Sequence, residues 1–545
     1  MLSLLSRVIP FLYLTSVLAL PQQIALSNLA TVPNIENARA NAPKIFNAIH
    51  SSMRQWGSSL QHNGMSLFPA TIPANTQLYH GTYMEEPVEG LEWLAFEIEH
   101  AEAFSRGPGG PPPGGPPGER PPGGGPPGGG PPGGGPPGGG KPPGERPERP
   151  GEPGPPPTEN TESWEEQEML NRIALLEEPI MSKGYLHEYR TRQALNCLYI
   201  DGMSAGKTNI GTLDTQDLIL LNRTTGGVRQ DWERAKGLCD LGSEWGIDGF
   251  IRMEAGFELI LCNFTRDVEL LSATQRSTPD DRKYSTFNVF EYWRGVSMRF
   301  QGITAGRVKL DYSNMVSAFW YDVNITNPEK ERAELPRLTS DDAEKLAVIK
   351  ADLKESIERE SGEGIDWQGV ADMITTRYMD RLQFMALNGT TRDALSFELS
   401  FLLAAFMDAK LNDTSEAIEH CSNHYFQLIT PQTTSDHLIQ AAFSAVTHEI
   451  CQTLFEVCGD IDDEENTMEK LQMKIRSLIV YLNWTAWKAC GKCSYDEVCF
   501  VAIWPWGSVE DHNNPGCIKS TDVGNRSGYW GRWGPPPPKE ERFEL

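Results

Sequence analysis

The sequence predicts an α+β protein: a β-rich N-terminal domain with a disordered Pro/Gly insertion, followed by an all-α domain that contains disulfides. Three observations lead to this prediction. Short apolar runs of strand length recur over residues 78–106 and 184–273. A tract made almost entirely of proline and glycine separates these two sets of runs. From about Ser340 onward, apolar residues recur at three-and-four spacing, which is typical of helices.

The N-terminus has the form of a secretory signal peptide. Arg7 precedes an apolar core, Val8–Leu20, and polar Gln22 and Gln23 follow it. This core is too short for a comfortable membrane span, and no other run reaches about 18 consecutive apolar residues. We therefore expect a secreted, extracellular protein without a membrane span.

The predicted domain map follows the changes in composition. Its segments are a signal peptide (1–20), the first half of the α+β domain (21–106), the insertion (107–160), the second half of the α+β domain (161–275), a connecting β/α segment (276–335), the helical domain (336–489) and a Cys-rich tail with a disordered end (490–545). The insertion has too few apolar side chains to offset the entropy of ordering it. Its PPGGG repeat has the wrong period for collagen.

Elements of the first domain are predicted from apolar spacing, turn residues and caps. They are a helix within 41–60, strands at 78 and 93, a short helix ending at 104, a helix over 163–178, two strands within 185–201, a strand over 212–221, a helix over 231–245, strands over 249–253 and 257–262 and a strand over 268–273. The helix over 163–178 has Ser163 and Glu166 at capping-box spacing and Pro179 after its end.

Beyond residue 275 the pattern becomes helical. The sequence predicts a helix over 287–300, a strand over 306–321, and helices over 340–360, 367–388, 393–411, 435–457 and 468–487. The tail from Cys490 is predicted to be coil held by disulfides, with a disordered end that includes the GYWGRW segment.

Glycosylation and disulfide signals agree with secretion. Ten cysteines, an even number, suit a disulfide framework. Behind a signal peptide, disulfides are favoured over zinc for the last four cysteines, so no metal site is predicted. We expect these four to bridge among themselves or to nearby helices. Seven Asn-x-Ser/Thr sequons occur, at Asn222, Asn263, Asn324, Asn388, Asn412, Asn483 and Asn525.

The net charge of −26 limits the classes of partner. A chain this acidic repels DNA, RNA and anionic lipid at long range. Nucleic acid is therefore not expected as a partner.

The stretch over residues 78–106 carries the main candidate site. His80, Gly81 and Thr82 close a predicted strand, and two aromatic residues, Trp93 and Phe104, follow at a spacing of eleven. Two aromatic faces beside a hydrogen-bonding edge form a slot for a planar heteroaromatic ring such as nicotinamide. Gly81 would allow the backbone to approach such a ligand closely. Packing in a hydrophobic core is the alternative for Trp93 and Phe104.

This pattern resembles the first half of the His-Tyr-Glu signature of the ADP-ribosyltransferase family. The resemblance implies an ADP-ribosyltransferase-like fold with NAD as the substrate. His80 would hydrogen-bond a ribose, and the Gly81 backbone would hold the carboxamide, with the Thr82 hydroxyl beside it. Trp93, where the family has tyrosine, would stack on one face of the nicotinamide, and Phe104 would cover the other.

The signature also requires a glutamate that opens a late strand. Glu258 fits, since on a strand it faces away from Phe257 and Leu259. Glu254, in the preceding turn, is the competitor, and the absence of any catalytic glutamate is the third alternative. A carboxylate at this position would stabilise the oxocarbenium-like state that forms when NAD is cleaved.

Two functions follow from the sequence. One is an NAD-dependent ADP-ribosyltransferase or NAD glycohydrolase, whose acceptor is a protein or small molecule that the sequence does not identify. The other is a non-catalytic secreted glycoprotein, wall-associated or an effector. The first is the leading hypothesis and the second its rival. Over segments such as LEWLAFEIEHAEAF, LYIDGMSAGKT and GFIRMEAGFE the chain also resembles uncharacterised fungal secreted proteins, and this resemblance implies secretion but no activity.

Other short motifs fail on spacing. Gly202 to Gly206-Lys207-Thr208 has three residues between the glycines, where a phosphate-binding loop has four. His448-Glu449 lacks the second histidine of a zinc HExxH helix, and 460–465 lacks the glycine and final glutamate of a calcium loop. Neither nucleotide nor metal binding is predicted from them.

Overall fold

The computed structural model describes residues 32–105, 184–223, 230–276, 289–359, 364–408, 410, 413–522 and 526–530. The predicted signal peptide, the insertion and the helix over 163–178 lie outside these residues. The described part is mixed α+β, with a curled sheet in the N-terminal region and a helical, disulfide-containing C-terminal region.

The helices have the following bounds: α1 Ile35–Ala40, α2 Ala42–Ser51, α3 Gln55–Leu60, α4 Ile98–Glu102, α5 Asp231–Trp245, α6 Phe264–Asp267, α7 Val289–Ser297, α8 Ala343–Glu358, α9 Trp367–Ala386, α10 Arg392–Leu403, α11 Thr414–Asn423, α12 Thr434–Asp460, α13 Met468–Leu482 and α14 Val509–Asn513. The prediction for α5 is confirmed at both ends. Its last turn is closed by Gly246 in the left-handed conformation (φ 70°), which glycine adopts without strain. The sequence did not predict α11.

The strands have the following bounds: β1 Ser66–Ile72, β2 Gln77–Thr82, β3 Glu92–Ala95, β4 Tyr185–Thr191, β5 Leu195–Ile200, β6 Gly249–Met253, β7 Phe257–Leu261, β8 Val268–Gln275, β9 Lys309–Leu310, β10 Val316–Ser317, β11 Glu497–Phe500 and β12 Gly516–Lys519. Ten of them form one sheet in the order β10-β1-β5-β6-β7-β3-β2-β4-β8, and β9 also pairs with β1. The pairing of β5 with β6 is parallel, and the others are antiparallel. Strands β1, β2 and β3, which precede the predicted insertion, pair with β5, β4 and β7, which follow it.

Two predicted strands are wrong. Within 212–221 the chain forms a π-helix, Thr215–Leu220, whose residues are all buried. A short apolar run that is buried on every side has the same pattern in a strand and in a helix. The predicted strand over 306–321 is divided into β9, β10 and two short 3-10 helices, Tyr312–Asn314 and Ala318–Trp320.

The helical region and the sheet share one continuous core, and no break in packing falls at the predicted boundary near residue 336. The N-terminal helices pack against the C-terminal bundle, with the Phe46 ring 4.7 Å from that of Phe443 on α12. The amide of Asn47 donates to the carbonyl of Leu482 at 2.8 Å. From α1 onward, the described chain therefore runs from the helical layer into the sheet and back to the helical layer.

The tail is more ordered than predicted. Strands β11 and β12 pair antiparallel, and the predicted disordered end is packed at least as far as Trp530. Tyr529 and Trp530 are buried, and the Tyr529 hydroxyl lies 2.7 Å from His62 Nε2. Residues 531–545 lie outside the described part.

Four disulfides are present: Cys239–Cys262, Cys421–Cys451, Cys490–Cys499 and Cys493–Cys517. The prediction that the last four cysteines bridge among themselves is confirmed. Cys197 and Cys458 are free thiols. Among the described residues, no helix is long and apolar enough to cross a membrane.

Candidate active site

The predicted strand end forms as expected. His80, Gly81 and Thr82 close β2, and Trp93 lies on β3. The Nδ1 of His80 donates to the carbonyl of Trp93 at 2.7 Å, and burial lowers the pKa of this histidine to about 4. Its ring lies among those of His187, at 6.2 Å, and Phe264, at 6.0 Å. His80 is therefore a neutral histidine packed among other rings.

His80 and Glu258 lie on opposite faces of the sheet. Tyr79 is paired with Ala95, and Ala95 with Glu258, so these side chains share one face. Successive side chains on a strand point to opposite faces, so His80 faces the other way. The predicted convergence of His80 and Glu258 on one NAD ribose is wrong, because the two side chains point to opposite faces of the sheet.

The other predicted residues have packing roles. A Cβ at Gly81 would clash with the carbonyl of Ala101, so this glycine admits α4 against the sheet. Thr82 is buried, and its hydroxyl accepts from the amide of Met84 at 3.3 Å. Gly81 and Thr82 thus hold α4 and the following turn in place.

The two aromatic residues contact different partners. Trp93 packs edge-on against Trp232 of α5 at 4.5 Å, and Phe104 packs edge-on against His100 at 5.4 Å. Trp93 is half-buried against the main hydrophobic core, whereas Phe104 is half-buried beside His100 and belongs to no core cluster of the described residues.

Glu258 belongs to a group of buried charges on its own face of the sheet. We call Lys207, Asp231, Arg252, Glu254 and Glu258 the charged cluster. They come from the loop after β5, the start of α5, strand β6, the turn between β6 and β7, and strand β7. Both glutamates that the sequence offered as alternatives are therefore members of one site.

Arg252 is the centre of the cluster and is fully buried. Its guanidinium donates to Glu258 Oε1 at 2.6 and 3.1 Å and to the two oxygens of Asp231 at 3.2 and 3.3 Å. It also donates to Gln216 Oε1 on the π-helix at 2.9 Å. Such a planar fork suits a guanidinium that must satisfy several acceptors at once.

Lys207 is the second cation. Its Nζ lies 2.5 Å from Glu254 Oε2, 3.5 Å from Asp231 Oδ2 and 5.2 Å from the centre of the Trp504 ring. The cluster is therefore bounded on one side by the C-terminal region. Lys207 is the lysine of the failed phosphate-loop motif, and it binds carboxylates here.

The cluster has a closed inner part and an outer part that solvent reaches. The Arg252 side chain is 0% exposed, whereas Lys207 is 11%, Asp231 7%, Glu254 8% and Glu258 8% exposed. The carboxylates and the ammonium group therefore keep a small contact with solvent, whereas the guanidinium has none.

The pKa values of two acids of the cluster are shifted in opposite directions. Burial alone would raise the pKa of Asp231, but Arg252 and Lys207 hold it well below its ordinary value. Burial raises the pKa of Glu258, and Arg252 opposes this only in part. When two acids in one site have pKa values that lie apart, one can donate a proton and the other accept one at the same pH.

His100 on α4 extends the cluster. One of its ring nitrogens and one oxygen from each of Glu254 and Glu258 lie within 4.8 Å of one another. Burial lowers the pKa of His100 to about 4, so the imidazole is neutral near pH 7. A second set of possible metal ligands consists of Cys490, Cys493 and Cys517. It offers no thiolate to a metal because all three sulfurs are in disulfides.

Sequence reasoning missed four contributors: His100, Lys207, Asp231 and Arg252. Arg252 carried a usable signal, because it is a charged residue within the apolar strand GFIRM and precedes another apolar strand that carries Glu258. A buried strand tolerates a charge only when it is paired. The other three lie on separate elements and carried no such local signal.

Comparisons with known proteins place this cluster inside one matched region. Residues 23–283 match the family described as the YPL277C N-terminal domain. The chain is similar to the uncharacterized protein YOR389W of Saccharomyces cerevisiae, with 27% identity over 566 residues, covering 87% of this chain and 84% of that protein. It is also similar to the uncharacterized protein YPL277C of the same yeast, with 34% identity over 252 residues and 44% of each chain covered. No solved structure matches the chain.

Both relatives are fungal, as the predicted resemblance implied. The matched family region contains every member of the charged cluster and His100. The candidate site is therefore a property of this N-terminal region and of the C-terminal segment that bounds it.

Proposed function

We propose that the protein is a secreted, disulfide-stabilised glycoprotein of the wall-associated or effector type, without NAD chemistry. The observation that carries this proposal is the exposure of the sequons. Of the seven sequon asparagines, five lie in the described part, and all five are exposed: Asn222, Asn263, Asn324, Asn388 and Asn483. Because glycosylation needs an accessible side-chain amide, this pattern suits a chain that passes through a secretory pathway.

The disulfides support the same compartment. Eight of the ten cysteines are paired in four disulfides, spread from α5 to the tail. Disulfides persist where the environment is oxidising, as it is outside the cell. An extracellular protein benefits from such crosslinks because they restrict the unfolded chain.

The second candidate is the NAD-dependent transferase or glycohydrolase that the resemblance implied. One observation favours it: Glu258 and Trp93 share a face of the sheet, and the Glu258 side chain keeps a small contact with solvent. The missing partner is His80, which lies on the other face. A nicotinamide-release assay on the purified full-length protein separates the candidates, since we expect no release above that of a Glu258→Gln variant.

Secretion and glycosylation are tested together by expressing the full-length chain in yeast. We expect the protein in the medium, with a lower gel mass after endoglycosidase treatment. Asn324→Gln should remove one glycan from the mass spectrum. Asn209→Gln, at an exposed asparagine outside any sequon, is the matched control and should remove none. Retention of an unglycosylated chain inside the cell would overturn the proposal.

A further inference from the structure

Three metal-ligand groups converge on one point of the sheet surface. His100 from α4, Glu254 from the turn and Glu258 from β7 each place one ligand atom within 4.8 Å of the others. All three residues are buried, with 3%, 6% and 6% of their surface exposed. Two carboxylates and an imidazole this close together have little contact with water. A cation between them would stabilise the buried negative charge.

Each of these residues uses one polar atom for a protein partner. Glu258 Oε1 accepts from Arg252 at 2.6 Å, and Glu254 Oε2 accepts from Lys207 at 2.5 Å. His100 Nδ1 lies 3.0 Å from the hydroxyl of Tyr292. Metal ligands are held in this way, with the atom that does not bind the metal fixed by a neighbouring group.

The second polar atom of each residue is left over. Within the described ranges, no hydrogen bond reaches Glu258 Oε2, Glu254 Oε1 or His100 Nε2. One nitrogen and two carboxylate oxygens are thus available, each on a residue already fixed through its other atom. In a structural ion network, by contrast, both oxygens of each carboxylate would be engaged.

The backbone makes room for the imidazole at this place. A Cβ on Gly256, in the turn after Glu254, would lie 2.5 Å from His100 Cγ and 2.7 Å from its Nδ1. Any side chain there would push the ring away from the two carboxylates. Glycine at this position keeps His100 within reach of both.

The charge balance leaves space for a further cation. The cluster holds three carboxylates, Asp231, Glu254 and Glu258, against two cations, Lys207 and Arg252. Among the described residues, Lys207 donates to Glu254 Oε2 and Arg252 to Glu258 Oε1, and neither donates a hydrogen bond to the leftover atoms.

We propose that His100, Glu254 and Glu258 bind one divalent first-row transition-metal cation. An imidazole with two carboxylates is a donor set that suits zinc and manganese, whereas calcium and magnesium prefer oxygen donors alone. Arg252, Lys207 and Tyr292 act as the groups that orient the ligands. This inference is independent of the proposed secretion, because it concerns only the folded chain.

The test uses the full-length secreted protein, stripped with a chelator and titrated with zinc chloride by calorimetry. We expect one zinc per chain, and no comparable heat with calcium or magnesium. His100→Gln should weaken zinc binding by about 100-fold or more, since a ligand is lost and second-shell losses alone reach 10 to 100-fold. His437→Gln, at an exposed histidine on α12, is the matched control and should bind zinc as the parent does.

Two further measurements keep the proposal testable if His100→Gln fails to fold. Glu254→Gln should also weaken zinc binding. X-ray absorption of the zinc-loaded parent should show nitrogen and oxygen ligands with one imidazole, and a sulfur ligand would overturn the site. The absence of zinc binding by the parent would show that Lys207 and Arg252 are the complete cation complement, and the proposal would fall.

Discussion

Helix α5 contributes to two buried sets of charge that differ in closure and balance. Arg234 and Asp217 form a pair with three contacts of 2.8, 2.9 and 3.1 Å, and their side chains are 1% and 0% exposed. The charged cluster instead has three carboxylates and two cations, and four of its five side chains are 7–11% exposed.

The comparison shows two uses of buried charge on one helix. The Arg234–Asp217 pair, closed to solvent, fixes α5 against the π-helix. The charged cluster has more carboxylates than cations, and among the described residues no hydrogen-bond donor reaches Glu258 Oε2 or Glu254 Oε1. A buried ion pair is therefore weak support for function, while imbalance together with residual access is stronger.

Breaking the closed pair should have the largest effect. Asp217→Asn leaves a guanidinium buried without its counter-charge, and we expect a loss of about 3–5 kcal/mol in the free energy of unfolding. Urea denaturation monitored by tryptophan fluorescence measures it. Asp240→Asn, at an exposed position on the same helix, is the control and should change stability by less than about 0.5 kcal/mol. Similar small losses for both variants would contradict the comparison.

Removing the crosslink that serves both sets should have the next largest effect. Cys239 on α5 is bridged to Cys262, directly after β7, with 23 residues of separation. The double variant Cys239→Ala and Cys262→Ala should lose about 2–4 kcal/mol, because the unfolded chain becomes freer. Thermal unfolding measures the loss, and Cys458→Ala, a free thiol, is the control. An unchanged melting temperature in the double variant would show that packing alone fixes α5.

Neutralising one member of the charged cluster should cost less than breaking the pair. In Glu254→Gln, Lys207 keeps Asp231 at 3.5 Å and retains its access to solvent. We expect a loss of about 1–3 kcal/mol in urea denaturation. If this loss exceeded that of Asp217→Asn, the cluster would be as closed as the pair, and the distinction between them would fail.

A third buried acid sharpens the comparison through its pH dependence. Asp201 has no cation partner in the described part of the chain, and burial raises its pKa to about 7 although it accepts from the Ser66 amide. The folded state thus holds a proton that the unfolded state releases near pH 4. The contribution of Asp201 to stability is complete below about pH 4 and is lost as the pH rises to about 7.

Asp201→Asn cannot release this proton. Between pH 5 and pH 6, the parent should lose about 1 kcal/mol of stability relative to the variant, as measured by urea denaturation at each pH. Parallel stability curves for the two proteins would mean that Asp201 is ionised in the fold. The pKa of Asp201 in the folded protein would then be close to that of an aspartate in the unfolded chain.

The candidate site was predictable only in part. Glu258 and Glu254 were found from their own strand and turn, and both belong to the charged cluster. The pairing of Glu258 with His80 failed because a one-residue difference in register reverses the face, and sequence spacing across separate strands does not fix register. Lys207 was set aside with its motif, since the partners that define it lie on α5, β6 and β7.

The sequence by itself determined the elements whose pattern is local. Helix α5, the strand pair β6 and β7 and most bundle helices follow from apolar period and turn residues. Tertiary structure alone decided the faces of the sheet, the π-helix at Thr215–Leu220 and the burial of Tyr529 and Trp530. These depend on contacts between residues far apart in the chain, whose free energies exceed the local preferences that a sequence pattern records.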